Sequence, residues 1–191
     1  MLEELLAKLQ NPNFVSQVSS QLGVDESTAS QAIHSAIPSL VGAMARNAES
    51  EEGASSLHEA LGQHDGSVLD DLDSYGQAPN TEDGNAILGH VFGGKQEAVA
   101  SGLSSVAGLD PSKMGGLMAM LAPLVMGALG KTQATSNLGS GDLGGALGGM
   151  LNQLGGGQDI MGVLGKMLDQ NHDGNVMDDL QGMLGSLFGK K

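Results

Sequence analysis

The chain of 191 residues has no cysteine, no tryptophan, only three phenylalanines and one tyrosine, and just eight Lys and Arg against 22 Asp and Glu. The missing cysteines exclude disulfides, thiol nucleophiles and thiolate metal sites, while leaving the redox compartment open. The shortage of aromatic rings removes the platforms on which bases or sugars stack and the usual anchors of tight interfaces. A formal net charge of −14 opposes sequence-independent binding to nucleic-acid phosphates or anionic lipid. Cations and basic partners are the natural complements.

Strand signals are also scarce. Gly, Ala, Leu and Met dominate, and no alternating apolar and polar run of strand length occurs, so the sequence predicts an all-α fold. Helices are expected over 2–9, 12–22, 26–47, 52–61, 67–72, 85–92, 96–107, 111–130, 143–154, 160–168 and 177–188. Asn11 before Pro12, Asp25 before Glu26 and Asp110 before Pro111 are cap signals for three of these.

Two internal repeats organise the chain. Ser19–Arg46 aligns with Ser104–Lys131 without a gap, matching Gly23 with Gly108, Asp25 with Asp110 and Pro38 with Pro123. The second repeat pairs Gln63–Leu72 (QHDGSVLDDL) with Asn171–Leu180 (NHDGNVMDDL). These suggest a first helical unit over 1–75, a second over 80–131 packed on it, a Gly-rich linker with weak helix over 132–158, and a C-terminal helix-loop-helix over 159–191. The architecture expected is thus two related helical units, an internal duplication, plus that terminal hairpin. The linker is expected to begin in Thr132–Gly141.

The C-terminal copy of the HDG element carries the strongest chemical signal. From Asp169 it runs Asp169, Asn171, Asp173, Gly174, the alternating oxygen donors and tight turn that open an EF-hand-like calcium loop. Asn175 would add a backbone carbonyl, and Asp178 or Asp179 a carboxylate. The pattern departs at the twelfth position, where Leu180 stands in place of the bidentate acid. The first copy has Leu61 and Gln63 where the second has Asp169 and Asn171, so its acids read as helix caps. A capped acidic turn is the competing reading for the second copy too.

Other motifs are better explained by structure. The doublets His64-Asp65 and His172-Asp173, with His34, His58 and His90, invite comparison with helical metal phosphohydrolases. A glycine directly after each doublet argues for a turn instead of a metal-bearing helix. Phe14–Ala45 has helix-turn-helix rhythm, but its second helix offers no Lys or Arg before Arg46, against DNA binding. The uncharged run between Lys113 and Lys131 approaches membrane-span length. Its duplicate carries Ser30, Gln31, His34, Ser35 and Ser39, which favours a buried central helix with Met114, Met118, Met120 and Met126 as core filler. The amphipathic start MLEELLAKLQ lacks the parts of a secretory signal, so a cytoplasmic location is the default expectation and leaderless export stays open.

The segments LGHVFGGKQEAVA (Leu88–Ala100), LAPLVMGALGK (Leu121–Lys131) and the HDG elements together resemble the bacterial domain-of-unknown-function 937 family. That resemblance implies a helical bacterial protein and no particular reaction. It draws attention to His90 and Gly93-Gly94-Lys95, where a glycine C-cap followed by a cation competes with anion binding. The expected function is therefore non-enzymatic: a calcium-linked binding or scaffolding module that engages a protein partner or itself. A metal-free homo-oligomer is the alternative.

Overall fold

The computed structural model describes residues 2–153. These form α1 (Leu2–Leu9), α2 (Pro12–Leu22), α3 (Glu26–Asn47), α4 (Glu51–Gly62), α5 (Leu72–Gln77), α6 (Thr81–Phe92), α7 (Gln96–Ala107), α8 (Pro111–Ser136) and α9 (Ser140–Gln153). Two short 3-10 turns, Ser67–Leu69 and Gly93–Lys95, lead towards α5 and into α7. No strand occurs among the described residues, in agreement with the all-α expectation.

Helix starts follow the capping side chains. Asn11 Oδ1 accepts the Asn13 N–H at 3.0 Å, Asp25 Oδ1 accepts the Thr28 N–H at 2.9 Å, and Asp110 Oδ1 accepts the Ser112 N–H at 3.4 Å. The turn between each short helix and the long helix after it is built alike at both places. Gly23 (φ 60°) ends α2 and Gly108 (φ 68°) ends α7. The N–H groups of Val24 and Leu109 then bond back to the carbonyls of Ser19 and Ser104.

α8 is the axis of the molecule. It is buried almost continuously from Leu117 to Gly130, and α1, α2, α3, α4, α6 and α7 all pack on it. Although α8 is long and apolar enough to cross a membrane, 83% of its most apolar window is covered by the rest of the protein. Its four methionines are buried core, as the sequence suggests. Around it lie Phe14, Ile33, Ile37, Leu40, Met44, Leu61 and Leu88, all nearly inaccessible. α9 closes α3 and α4 with Leu143, Leu147 and Leu151, spaced four residues apart on one face.

Three local expectations need correction. Residues 132–136 do not begin a linker; they continue α8, because Thr132 Oγ1 donates to the Ala128 carbonyl and the buried Gln133 Nε2 donates to the His58 carbonyl at 3.2 Å. The helix stops at Asn137, which adopts φ 50°. The span 67–72 is not one helix: a 3-10 turn ends at Leu69, and Asp71 starts α5 by accepting the Ser74 N–H at 3.0 Å. Finally, α6 begins four residues earlier than expected, since Asn80 Oδ1 accepts the Asp83 N–H. The expected helices over 160–168 and 177–188 lie outside the described residues.

Two close backbone approaches on α8 involve Gly84 and Gly130. Pro123 has no N–H for the Ala119 carbonyl, and Gly84 of α6 lies so close to that oxygen that a Cβ on it would stand 1.7 Å away. Gly130 meets the end of α4, where a Cβ would stand 1.9 Å from the His64 carbonyl oxygen and 2.6 Å from that of Leu61. By contrast, Gly116 faces open space in the same helix. Gly84→Ala and Gly130→Ala should each destabilise by about 1–3 kcal/mol or more, whereas Gly116→Ala should stabilise by about 0.5–1 kcal/mol. Urea unfolding of the three variants checks this, and equal effects at all three would contradict the contacts.

Acid stability has a defined source. Hydrogen bonds from Ser27 and Thr28 hold the Asp25 carboxyl well below its ordinary value of 3.8, and the Ser67 and Ser74 N–H groups lower Asp65 and Asp71 in the same direction. Because the folded values lie below the unfolded ones, the unfolded chain binds more protons as the pH falls through this range. The stabilisation is therefore present above about pH 5 and lost progressively towards about pH 2. Replacing the three aspartates by Asn, which still caps but does not titrate, should flatten the dependence of unfolding free energy on pH in that window.

Candidate functional site

The first HDG element lies where α4 ends against α8. His64 follows α4, Gly66 takes φ 84°, and Asp65 Oδ1 accepts the Ser67 N–H at 2.9 Å to start the 3-10 turn. The Gly66 Cα packs against Gly127 of α8, and a Cβ at Gly66 would stand 2.8 Å from the Gly127 carbonyl oxygen. Glycine is thus needed twice over, for its positive φ and for the contact. Leu61, which occupies the position of Asp169 in the other copy, is only 1% exposed and belongs to the core.

His64 itself turns away from Asp65. Its Nδ1 lies 2.8 Å from the Ala60 carbonyl oxygen, which accepts only if that nitrogen carries the proton. The other nitrogen, Nε2, faces Asp83 Oδ2 at 3.4 Å, with the imidazole 22% and the carboxylate 37% exposed. This pair bridges the end of α4 to the start of α6. At the far end of α6, Asn47 Nδ2 of α3 donates to the carbonyls of His90 and Val91 at 3.3 and 3.1 Å. These carbonyls belong to the last helical turn, which has no helical donors to offer them.

Between the two fixed ends α4 and α6 run antiparallel and stand apart. The groove left between them has a volume of about 610 Å³, with Met126 of α8 at its floor. Leu57 and Ala60 line it from α4, and Ile87 and Val91 from α6. Glu59, His64, Asp83 and His90 also border it.

The histidines among the described residues do not assemble into a metal centre. His34 is exposed on α3 and His58 lies on α4, while His90 is exposed at the end of α6. Among the described residues, no three His, Cys, Asp or Glu side chains are placed to hold a metal ion together. His64-Asp65 is a turn, in keeping with the glycine after it. Gly93, with φ 56°, ends α6, and Gly94 and Lys95 continue through the 3-10 turn into α7, so these letters have a backbone use. The calcium-loop residues Asp169, Asn171, Asp173, Asn175, Asp178 and Asp179 lie outside the described residues.

Asn47, Glu59 and Asp83 drew no attention in the sequence. Asn80-Thr-Glu-Asp is a cap followed by first-turn acids, and it could have placed Asp83 on α6. Nothing local links Asp83 to His64, nineteen residues away, or Asn47 to the end of α6.

No curated protein and no solved structure matches the chain. The family model for bacterial proteins of unknown function, DUF937, matches residues 4–132 and 135–191, and the chain belongs to that family.

Proposed function

We propose that this protein is a non-catalytic binding or scaffolding module whose C-terminal HDG loop takes a calcium ion. The observation that carries this reading is the contrast between the two copies of the element. In the first, two of the shared acids already have a structural use. Asp65 caps the 3-10 turn, Asp71 caps α5, and the position of Asp169 is filled by the buried Leu61.

A carboxylate cannot replace such a leucine in a core without a charged or hydrogen-bonding partner. In the second copy the residue is Asp169, and Asn171 and Asp173 follow at alternating positions. Three side-chain oxygens with that spacing, a backbone carbonyl from Asn175 and a carboxylate from Asp178 or Asp179 suit a hard cation that takes six to eight oxygens. With Leu180 in the twelfth position the bidentate ligand is missing, which puts the expected affinity at the weak end, about 10⁻⁴–10⁻³ M. The ion would order the segment around it and present Met161, Leu164, Met167, Leu168, Met183 and Leu187 to a partner or a second copy.

Calorimetric titration of the intact protein with calcium should give heat consistent with one ion per chain, and Asp169→Ala should abolish it. Light scattering should show a change of assembly when calcium is chelated. Absence of heat from the intact protein would remove calcium from the reading, and assembly indifferent to chelator would favour a metal-free oligomer.

A further inference from the structure

The groove between α4 and α6 is built from residues between Asn47 and Met126. We infer that it docks a basic amphipathic helix from a protein partner, with apolar side chains on its Met126 floor and Lys or Arg towards Glu59 and Asp83. The groove is held open by contacts at both ends: Asn47 ties α3 to the carbonyls of His90 and Val91, and His64 meets Asp83. Its walls are supported from beneath by α8, so a ligand need not separate packed helices to enter.

Its chemistry selects the occupant. Leu57, Ala60, Ile87, Val91 and Met126 offer an apolar bed, which a peptide backbone with unpaired N–H and C=O groups would enter at a cost. No strand edge is present among the described residues to pair with such a backbone, whereas a helix satisfies its own groups and presents apolar residues at i, i+3, i+4 and i+7. From Gly53 to His64 the α4 wall extends about 16 Å, enough for roughly three helical turns.

Charge decides between partners. Glu59 and Asp83 border the groove; among the described residues no Lys or Arg lines it, and the lining groups able to carry positive charge are the imidazoles of His64 and His90. Glu51, Glu52 and Glu82 add further acid to the same two helices. A second copy of this chain carries −14 and offers no charge complementary to the groove, and residues 154–191 hold five aspartates against three lysines. A cationic helix is complementary on both its apolar and its polar face.

The test uses the full chain at 0.15 M salt with two 14-residue probe peptides, one of Leu and Lys and one of Leu and Glu, with identical leucine spacing. The Lys peptide should bind at least about ten-fold more tightly than the Glu peptide. Ala86→Arg, at an exposed groove position, and Glu59→Lys should each weaken it by about ten-fold, while Glu97→Lys on α7 should change it less than about two-fold. Equal losses at Glu97 and Glu59 would reduce the effect to general attraction and overturn the site. A photoreactive residue at position 86 should cross-link to the Lys peptide. Cross-linking in its presence to a second copy, or to residues 154–191 of the same chain, would assign the groove to that occupant and overturn the proposal. Running the series with and without chelator separates this site from the calcium loop, because groove binding is expected in both.

Discussion

Pro123 leaves the Ala119 carbonyl without its helical donor, and Gly84 brings α6 against that oxygen so closely that no side chain could come between them. The neighbouring Met120 carbonyl accepts the Tyr75 hydroxyl at 2.9 Å, so the short α5 reaches the same region of α8. Burial, with Asp83 nearby, pushes the Tyr75 phenol up to about 12, which keeps it protonated and able to donate at any physiological pH. An interior proline costs a helix about 3 kcal/mol when nothing compensates. Here two elements converge on the backbone around the break, and the position of α6, and with it one wall of the groove, follows from that contact.

Scarcity of aromatic rings makes such contacts necessary. Among the described residues Phe14 is the one inaccessible ring, so the core fills its volume with Leu, Ile, Met and Ala, and small side chains reach native packing density only when helices approach closely. Close approach in turn requires glycine where one backbone crosses another. Gly130 against the end of α4 and Gly66 against Gly127 are the same solution applied to the HDG turn. A turn that looks from its letters like a ligand loop is, in the first copy, a docking element that fixes the end of α4.

Local chemistry was legible in the sequence, and tertiary pairing was not. Asn11, Asp25 and Asp110 announced their helices because a cap acts within three residues of itself. The end of α8 was misplaced because Thr-Gln-Ala-Thr reads as linker alone, while the hydrogen bond from Gln133 to the His58 carbonyl depends on a helix 75 residues away. The glycines of 140–153 weaken a helix by propensity, yet Leu143, Leu147 and Leu151 bury one face of α9 against α3 and α4, and that packing outweighs poor helix propensity. Of the candidate groove, His64 and His90 were visible as letters. Their geometry came from Asp83 and Asn47, whose partners are far away in sequence.

The two HDG copies share most of their letters and differ at the position two residues before the element. In the first copy three of the shared residues serve structure: a cap from Asp65, a positive φ and tight packing at Gly66, and a second cap from Asp71. Buried Leu61 shows what the position before the element does when its only task is packing. An aspartate at such a buried site would forfeit that apolar burial, roughly 1.5–3 kcal/mol for a fully buried leucine, and would add a charge that needs a partner. A chain of strongly acidic balance already resists concentrating more carboxylates in one turn. Sequence alone distinguishes the two copies at that position, Leu61 in one and Asp169 in the other, and the calcium proposal rests on that difference.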